Sequence, residues 1–321
     1  MKNETVELPE TLQEAITYFA DEARALDFMV SLRWPNGKVT CPHCHAGEVT
    51  FLATQKRWKC KGCRKQFSAK VGTIFEDSAL PLSKWFPAFW LIVNAKNGIS
   101  SYEIGRSLGV TQKTGWFMLQ RIRLAMQNGT VVKLGGTVEV DETFIGGKAR
   151  NMHKGKRKVK GTGGCAMTPV QGLLERHAGG SKIVVKVMKN RRKIEAQKNI
   201  VEYVLKGSEV FTDALPSYNG LKADYNHAVV DHAEKYVDGK VHTNGLENFW
   251  CLLKRTIKGT YVNVEPFHLF RYLDEQSFRF NERQDTDGGR FLKACAGIIG
   301  KGLKYVDLIG NGGDDLQQAL A

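Results

Sequence analysis

Four cysteines near the start of the chain are spaced as two C-x2-C pairs, Cys41-Pro-His-Cys44 and Cys60-Lys-Gly-Cys63. Each pair can turn two thiolates toward one point, and two pairs complete the tetrahedral sulfur site of Zn²⁺, with Zn–S distances of about 2.3 Å. One pair alone would equally suit a redox centre, but the second pair favours zinc. Because four cysteines leave no open coordination position, we expect this zinc to stabilise a small ribbon and to take no part in catalysis.

Basic residues outnumber acidic ones: the 321 residues include 47 Lys and Arg against 33 Asp and Glu, a formal net charge of +14. Such a surface attracts polyanions, of which nucleic acid is the commonest. Positive charge gathers at 56–65, 148–160 and 182–198. The basic residues predicted to contact DNA are Arg57, Lys59, Lys61 and Arg64 of the ribbon and Lys156, Arg157 and Lys158 of the central run. That central run fits a DNA-gripping segment and a loop ordered only by DNA equally well.

The chain has no feature that directs it into or across a membrane. No apolar run reaches the roughly 18–20 residues that a spanning helix needs, and the N-terminus lacks the basic-then-apolar pattern of a signal peptide. We therefore expect a cytoplasmic protein, associated with the nucleoid when bound to DNA. The remaining cysteines, Cys165, Cys251 and Cys295, are expected to be buried small hydrophobes.

Between residues 80 and 130 the apolar residues recur at helical spacing. Three helices are predicted there, beginning at Ser83, at Ser100 or Ser101, and at Thr111, the first of them ending near Asn97. The second and third, joined by a glycine turn, fit a helix-turn-helix, in which Gln112 and Lys113 would open the helix that reads DNA. A helical bundle with a purely structural role fits the same pattern.

From Gly136 onward the pattern changes to alternating strands and helices. Strands are predicted at 137–144, 164–170, 183–188, 208–213 and near 227–230, with a helix at 191–205 before the fourth strand and another opening at Asn244. This order suits a ribonuclease-H-like fold, a mixed sheet flanked by helices. In such a sheet Asp141 and Asp213 would lie on neighbouring strands, and Glu247 would lie on a helix packed beside them.

Three carboxylates that converge in this way can hold two Mg²⁺ ions, because hard cations prefer oxygen ligands. Two such metals about 3.5–4 Å apart activate an attacking water or hydroxyl and stabilise the leaving oxygen of a phosphodiester. Each acid alone also has an ordinary structural interpretation, as a strand residue, a turn residue and a helix N-terminal residue. Their occurrence together, downstream of two DNA-binding candidates, favours the catalytic interpretation.

The runs that carry this interpretation also resemble a known family. They are the cysteine segment 41–63, Val138-Glu-Val-Asp-Glu-Thr-Phe-Ile-Gly-Gly, Phe211-Thr-Asp, His242-Thr-Asn-Gly-Leu-Glu-Asn-Phe-Trp and the segments 272–275 and 279–283. Over roughly residues 15–285 the chain resembles bacterial insertion-sequence transposases of the DDE type, in the zinc-ribbon ISXO-like group.

The resemblance implies roles for particular residues. Asp141, Asp213 and Glu247 would bind Mg²⁺ or Mn²⁺, and Lys254, two helical turns after Glu247, would contact phosphate near the cut. Asn244, one turn before Glu247, remains an alternative third ligand. The pair Glu275 and Arg279 is similar to a later Glu–Arg element of the family, and an ordinary helix ion pair explains it as well.

We therefore expect an α/β protein in five parts: a helical leader (1–34), a zinc ribbon (35–70), a helix-turn-helix segment (80–130), a ribonuclease-H-like DDE transposase domain (136–285) and a C-terminal appendage (286–321). The expected activity is that of a DNA transposase. It would bind the terminal repeats of its insertion sequence, nick the ends and join them to target DNA by two-metal transesterification, as a homodimer or larger assembly on double-stranded DNA. The alternatives are a domesticated DNA-binding protein that no longer cuts, and a metal-dependent nuclease that cuts without joining.

Overall fold

The computed structural model describes residues 8–127, 133–147, 167–230 and 241–310. The described residues form two compact units. One contains the residues up to Gln127 together with Asp285–Ile309, and the other contains the residues after it up to Gln284. The predicted basic contacts Lys156, Arg157 and Lys158, as well as Cys165, lie outside the described residues.

The elements follow one another in this order. The first part of the chain contains α1 (Leu12–Ala20), α2 (Glu22–Arg33), β1 (Val49–Leu52), β2 (Arg57–Cys60), β3 (Gln66–Phe67), α3 (Leu82–Asn94), α4 (Ser101–Leu108) and α5 (Gln112–Met126). The remainder contains β4 (Thr137–Ile145), β5 (Thr168–Glu175), β6 (Lys182–Val187), α6 (Lys193–Tyr203), β7 (Glu209–Asp213), β8 (Asn226–Val230), α7 (Asn244–Thr256), α8 (Leu269–Asn281), α9 (Asp287–Ala296) and α10 (Tyr305–Leu308).

A three-stranded antiparallel sheet, β1-β2-β3, lies in the first unit. Trp58 on β2 pairs with Phe67 on β3, and their buried rings stack with centroids 6.0 Å apart. On the other side of β2, Arg57 and Lys59 alternate outward and are exposed. The period-2 alternation of the sequence therefore separates an aromatic core from a basic face.

Helix starts in the first unit follow the capping rules at two of three predicted positions. Ser100 caps α4 in a reciprocal capping box with Glu103, and Thr111 caps α5 by accepting the backbone N–H of Thr114. The predicted cap at Ser83 is wrong, because α3 begins at Leu82 directly after Pro81 and the Ser83 hydroxyl donates to the Glu22 carboxylate. This helix also ends earlier than predicted, at Asn94.

The segment that follows Asp285 belongs to the aromatic core of the first unit. Phe291 on α9 lies 5.6 Å from Phe19 on α1 and 5.8 Å from Phe28 on α2, measured between ring centroids. Phe86 on α3 completes this cluster. Burial of large aromatic side chains of this kind is a major source of folding free energy, so α9 stabilises the helical unit although it is distant in sequence.

The second unit contains a five-stranded sheet of order β6-β5-β4-β7-β8. β4 and β6 both pair antiparallel with β5, whereas β7 runs parallel to both β4 and β8. The predicted second strand is shifted, since the observed strand is Thr168–Glu175. Its bounds are set by pairing along the whole of β4, from Ile145 opposite Thr168 to Val138 opposite Glu175.

Each face of this sheet is covered by helix. Val138 and Val140 of β4 pack with Ala196 and Ile200 of α6 in one core cluster. Ile145, whose side chain points to the other face of β4, packs in a second cluster with side chains of α7 and α8. These helical residues are Leu246, Phe249, Trp250, Leu253, Leu269, Tyr272, Leu273 and Phe280. Successive side chains of β4 therefore pack alternately against α6 on one face and against α7 and α8 on the other.

Two further expectations can be compared with the structure. Cys295 is buried as predicted, but Cys251 is exposed, because it lies on the face of α7 turned away from the sheet core formed by Phe249 and Trp250. Within the described residues, no helix combines the length and the hydropathy that crossing a membrane requires.

Candidate functional site

The four ribbon cysteines form a compact sulfur cluster. All four Sγ atoms lie within 4.8 Å of one another, with Cys41 3.6 Å from Cys63 and Cys44 3.5 Å from Cys60. A tetrahedron with Zn–S bonds of about 2.3 Å has S···S edges of about 3.8 Å, so these spacings fit a zinc ion and are far too long for disulfides. The donor set and its geometry support a structural Zn²⁺ in the ribbon.

The backbone around the cysteines accounts for this convergence. The residue after each C-x2-C pair, His45 in one and Arg64 in the other, has positive φ (60° and 62°), which reverses the chain beside the sulfur atoms. Burial raises the pKa of Cys41, but hydrogen bonds from the backbone N–H groups of His43 and Cys44 and from the Cys63 and Cys44 thiols outweigh it and bring this pKa to about 7. The thiolate, which is the zinc-binding form, is thereby favoured at Cys41, whereas the neighbouring thiols raise the pKa of Cys63 to about 11 against the lowering hydrogen bond from the Lys65 backbone.

Asp141 and Asp213 occupy equivalent positions on adjacent parallel strands. Val140 pairs with Thr212 in the register of β4 and β7, so the next residue on each strand is one of the two aspartates. Side chains at matched positions of paired strands point to the same face. The two carboxylates therefore project side by side where β7 ends.

Helix α7 brings Glu247 to the same face. Three residues after Glu247, the indole N–H of Trp250 donates to Asp141 Oδ2 at 2.9 Å, and residues three apart share a helix face. The helix approaches closely because Gly172, the β5 partner of Asp141, has no side chain. A Cβ atom at Gly172 would lie 2.7 Å from Leu246 Cδ2 and 2.8 Å from Trp250 Cζ2.

The electrostatics of Asp141 reflect this crowding. Burial raises its pKa, the Trp250 and Glu142 hydrogen bonds lower it, and the negative charges of Asp213 and Glu247 raise it, so that the net shift is upward. The three carboxylates thus interact as like charges. Among the described residues, however, the cysteines form the one group of three or more metal-binding side chains drawn within 4.8 Å of one another.

A buried ionic cluster anchors the start of α7, and the sequence patterns did not identify it. Glu139 on β4, only 1% exposed, accepts from Arg176 Nε at 2.7 Å and from the backbone N–H of Leu246 at 3.0 Å. Arg176 also donates to the backbone oxygen of His242 at 2.6 Å and lies 2.7 Å from His242 Nδ1. Glu139 thereby ties the strand that carries Asp141 to the helix that carries Glu247.

A second unpredicted group lies on the opposite face of β4. Glu142 Oε1 accepts from the Tyr218 hydroxyl at 2.5 Å, and this hydroxyl accepts from Gln171 Nε2 at 3.2 Å. Within the described structure, the other carboxyl oxygen, Oε2, is buried without a hydrogen-bond partner. Burial raises the pKa of Glu142, and Asp213 and Asp141 raise it further against the lowering effect of Tyr218. Glu142 is therefore a fourth acid of this region.

Comparison with known proteins gives these two sites a common context. The sequence-family profile of the ISXO2-like transposase domain matches residues 133–281, and that of the transposase zinc-ribbon domain matches residues 20–66. Together they cover more than half of the 321 residues. Residues 133–281 are an ISXO2-like transposase domain, and a transposase zinc ribbon precedes it.

A relative from an archaeal mobile element agrees with this assignment. The chain is 29% identical over 254 residues to an uncharacterized protein in transposable element ISH50 of Halobacterium salinarum. The match spans 75% of this chain and 84% of the relative.

The residues predicted to contact DNA in this transposase are exposed where they are described. Lys61 lies within the second cysteine pair and Arg64 directly follows it, close in sequence to the exposed Arg57 and Lys59. At the start of α5, Gln112 Nε2 donates to the Ser101 hydroxyl at 2.8 Å, and Lys113 Nζ lies 4.8 Å from the centre of the Tyr305 ring. Both α5 side chains thus have partners within the chain.

The Glu275–Arg279 pair is a buried ion pair on α8 of this transposase. Glu275 is fully buried and Arg279 is 7% exposed. Glu275 Oε1 also accepts from the Tyr261 hydroxyl at 2.5 Å, and Arg279 donates to Gln276 Oε1 at 2.8 Å. These contacts join α8 to the turn that follows α7, which is a structural task.

Proposed function

We propose that the chain is a DDE transposase that cuts the ends of its insertion sequence and joins them to target DNA, and that its second unit is ribonuclease-H-like. The observation that carries the proposal is that Asp141 and Asp213 directly follow the paired residues Val140 and Thr212, next to the helix that carries Glu247. The sheet supports it too, with three antiparallel strands followed by two parallel ones. The helices that cover both faces of this sheet are also consistent with that fold.

The carboxylates of Asp141, Asp213 and Glu247 form a donor set that suits Mg²⁺ or Mn²⁺. All donors are hard oxygen atoms. Burial raises the pKa of Asp141, and the negative charges of Asp213 and Glu247, which a bound cation would compensate, raise it further. Two such cations would supply an activated attacking oxygen and a stabilised leaving oxygen. Glu247 lies near enough to Asp141 for its charge to act on that carboxyl and, unlike the neutral Asn244, adds an anionic oxygen donor, so we propose Glu247 as the third ligand.

The protein's own groups have defined tasks in this proposal. Trp250 holds one oxygen of Asp141 by its indole N–H and so fixes the orientation of this carboxylate. Glu139 and Arg176 fix the start of α7 relative to β4. Lys254 lies seven residues after Glu247, on the same helix face, where its ammonium group would contact a DNA phosphate.

DNA would be held by the ribbon and by α4 and α5, with the latter pair acting as a helix-turn-helix. The exposed basic face of β2 is suited to phosphate contacts, which position DNA without reading its sequence. Joining two ends requires both to be present in one complex. A homodimer or larger assembly on double-stranded DNA is therefore part of the proposal.

The test is an end-cleavage and strand-transfer assay with the full-length protein. Labelled duplex from the element terminus and an unlabelled target plasmid are incubated with Mg²⁺ and with the wild type, Asp141→Asn, Glu247→Gln or Asn244→Ala. We expect the first two variants to lower the cleavage rate by about 10³-fold, which corresponds to about 4 kcal/mol of lost transition-state stabilisation. Asn244→Ala should stay within about tenfold of the wild type.

Two controls make the outcome interpretable. The variant Asp224→Asn removes an exposed carboxylate from the same unit and should cleave like the wild type. Gel-shift binding of the same duplex checks that the inactive variants still bind DNA. Full cleavage by both Asp141→Asn and Glu247→Gln would overturn the proposed site, whereas cleavage without joined product would favour the nuclease.

A further inference from the structure

A cavity of about 290 Å³ opens between the end of β4 and the turn after α7. Its walls are mostly apolar, and its rim carries two lysines. The lining residues used below are Phe144, Met167, Lys254, Lys258, Asn263 and Val264. None of them belongs to the carboxylate set, so the cavity is a separate feature of the same unit.

The two lysines give the cavity a positive rim. Lys254 and Lys258 are four residues apart, so their side chains lie on one side of the helical segment. Within the described part of the chain, neither ammonium group takes part in an ion pair or hydrogen bond. Both are therefore available to an anionic ligand, and charge complementarity selects an occupant that combines an anion with an apolar body.

The wall beside Lys258 has an unusual backbone. A π-helical turn, Ile257–Tyr261, extends α7, and Val262 follows with φ 60° and ψ −59°. A β-branched residue rarely adopts positive φ, and the Val262 side chain is 78% exposed. Strained backbone and π-helical turns concentrate at functional sites, and here both place an apolar side chain at the mouth of the cavity.

The cavity lies a short distance from the acids. Phe144 follows Asp141 by three residues on β4, a span of about 10 Å. Lys254 follows Glu247 by seven residues on α7, again a span of about 10 Å. At a duplex rise of about 3.4 Å per nucleotide, this separation equals about three nucleotides.

We propose that this cavity receives one nucleotide of the element end, unpaired from its complement, with its phosphate at Lys254 and Lys258 and its base against the apolar wall of Met167 and Val264. The inference rests on the proposed function and specifies where the end of its substrate lies. A volume of about 290 Å³ is at the lower limit of small-ligand pockets, about 300 Å³, and is too small for a base pair of duplex DNA. A base can reach such a cavity only after it leaves the stack.

The test uses full-length protein and terminal-repeat duplexes that carry 2-aminopurine, one position at a time, at nucleotides one to four and at nucleotide ten from the cut. This base analogue fluoresces when it is unstacked. We expect a several-fold rise with the wild type at one of the first four positions and none at position ten. Lys258→Ala removes a charge from the rim of the cavity, and Asn263→Trp fills its mouth. Either substitution should abolish the fluorescence rise and slow cleavage by about tenfold or more.

The matched control is Lys222→Ala, which removes one exposed positive charge of the same unit outside the cavity lining. It should leave both the fluorescence rise and the cleavage rate within about twofold of the wild type. Cleavage that depends on Asp141 but occurs without any fluorescence rise would overturn the proposed role of the cavity and leave the proposed function intact. A rise seen only with 2-aminopurine in the target duplex would overturn the assignment to the element end. If the wild type shows no cleavage that depends on Asp141, the proposed function itself is overturned.

Discussion

The chain contains two clusters of candidate metal ligands, and they are assembled in different ways. The four cysteines lie in one short segment of one small sheet, and their sulfur atoms already lie within 4.8 Å of one another. The three acids come from two strands and a helix of the second unit, and burial, with a further contribution from the charges of Asp213 and Glu247, raises the pKa of Asp141. One cluster converges through its own turns, and the other depends on a scaffold.

This difference assigns different tasks to the two sites. A closed site of four thiolates stabilises the fold that forms it. Repelling carboxylates, by contrast, reduce the stability of the fold until a cation compensates them, and they hold their positions because the surrounding structure fixes the backbone. Removal of a ligand should therefore destabilise the first unit and stabilise the metal-free second unit.

The largest effect on folding is expected from the ribbon. Cys60→Ser should abolish tight zinc binding and unfold residues 35–70, because apparent binding free energies of structural zinc sites are about 10–16 kcal/mol and depend on the full ligand set. Zinc content by atomic absorption and limited proteolysis of the ribbon measure this. Cys251→Ser, an exposed cysteine outside the cluster, is the control. Retention of one zinc per chain by Cys60→Ser would contradict the closed site.

The second largest effect is expected at the scaffold of the acids. Arg176→Gln leaves the carboxylate of Glu139 buried without its charge partner, which we expect to cost about 3 kcal/mol of unfolding free energy. Denaturant unfolding of the second unit measures it. Lys206→Gln breaks the exposed ion pair with Asp224 and should leave the free energy of unfolding unchanged within experimental error, because water screens exposed ion pairs. Equal losses in the two variants would show that Glu139 does not depend on Arg176.

The same contrast explains how far the sequence predicted the structure. The ribbon follows from spacing within 23 residues, and the caps at Ser100 and Thr111 follow from local chemistry. The strand order of the second unit agrees with its alternating pattern, and the register brings Asp141 beside Asp213 as expected for neighbouring strands. These features depend on short-range patterns or on a small choice of sheet topologies.

The contacts that position the acids could not be predicted in this way. In the sequence Glu139 is one polar residue of an alternating strand. Its partner Arg176 lies 37 residues away along the chain, and His242, which contacts Arg176, lies a further 66 residues away. Gly172 reads as a weak point of a strand, and the helix that it admits begins about 70 residues later. A buried charge on a core strand is the one local signal available, because it requires a partner.

A smaller effect is expected where α7 contacts the sheet. Gly172→Ala places a Cβ atom within 2.7–2.9 Å of Leu246 and Trp250, so the helix must shift, and we expect a loss of about 1–3 kcal/mol of unfolding free energy. Cleavage should fall further than stability, because Trp250 and Glu247 move together. Gly179→Ala, where a Cβ would meet no atom nearer than 3.6 Å, is the control. Unchanged cleavage in Gly172→Ala would show that the acids tolerate displacement of the helix.

The smallest effect has the opposite sign. The folded-state pKa of Asp141 lies above its ordinary value because of burial and the neighbouring acids, so ionisation of Asp141 disfavours the metal-free folded state. The penalty is absent below the unfolded pKa of about 3.9 and develops as the pH rises from there through the folded pKa. At pH 7–8, Asp141→Asn should therefore raise the Tm of the second unit by about 2–4 °C, a change of about 1 kcal/mol.

Two further measurements make this last prediction decisive. The gain in Tm should shrink as the pH is lowered toward about 4, where the wild-type carboxylate is protonated in both states. Millimolar Mg²⁺ should raise the Tm of the wild type, because a ligand that binds only the folded state stabilises it, and should raise that of Asp141→Asn much less. A lower Tm for Asp141→Asn in the metal-free protein would mean that the carboxylate stabilises its surroundings as the cysteines do, and the distinction between the two clusters would fail.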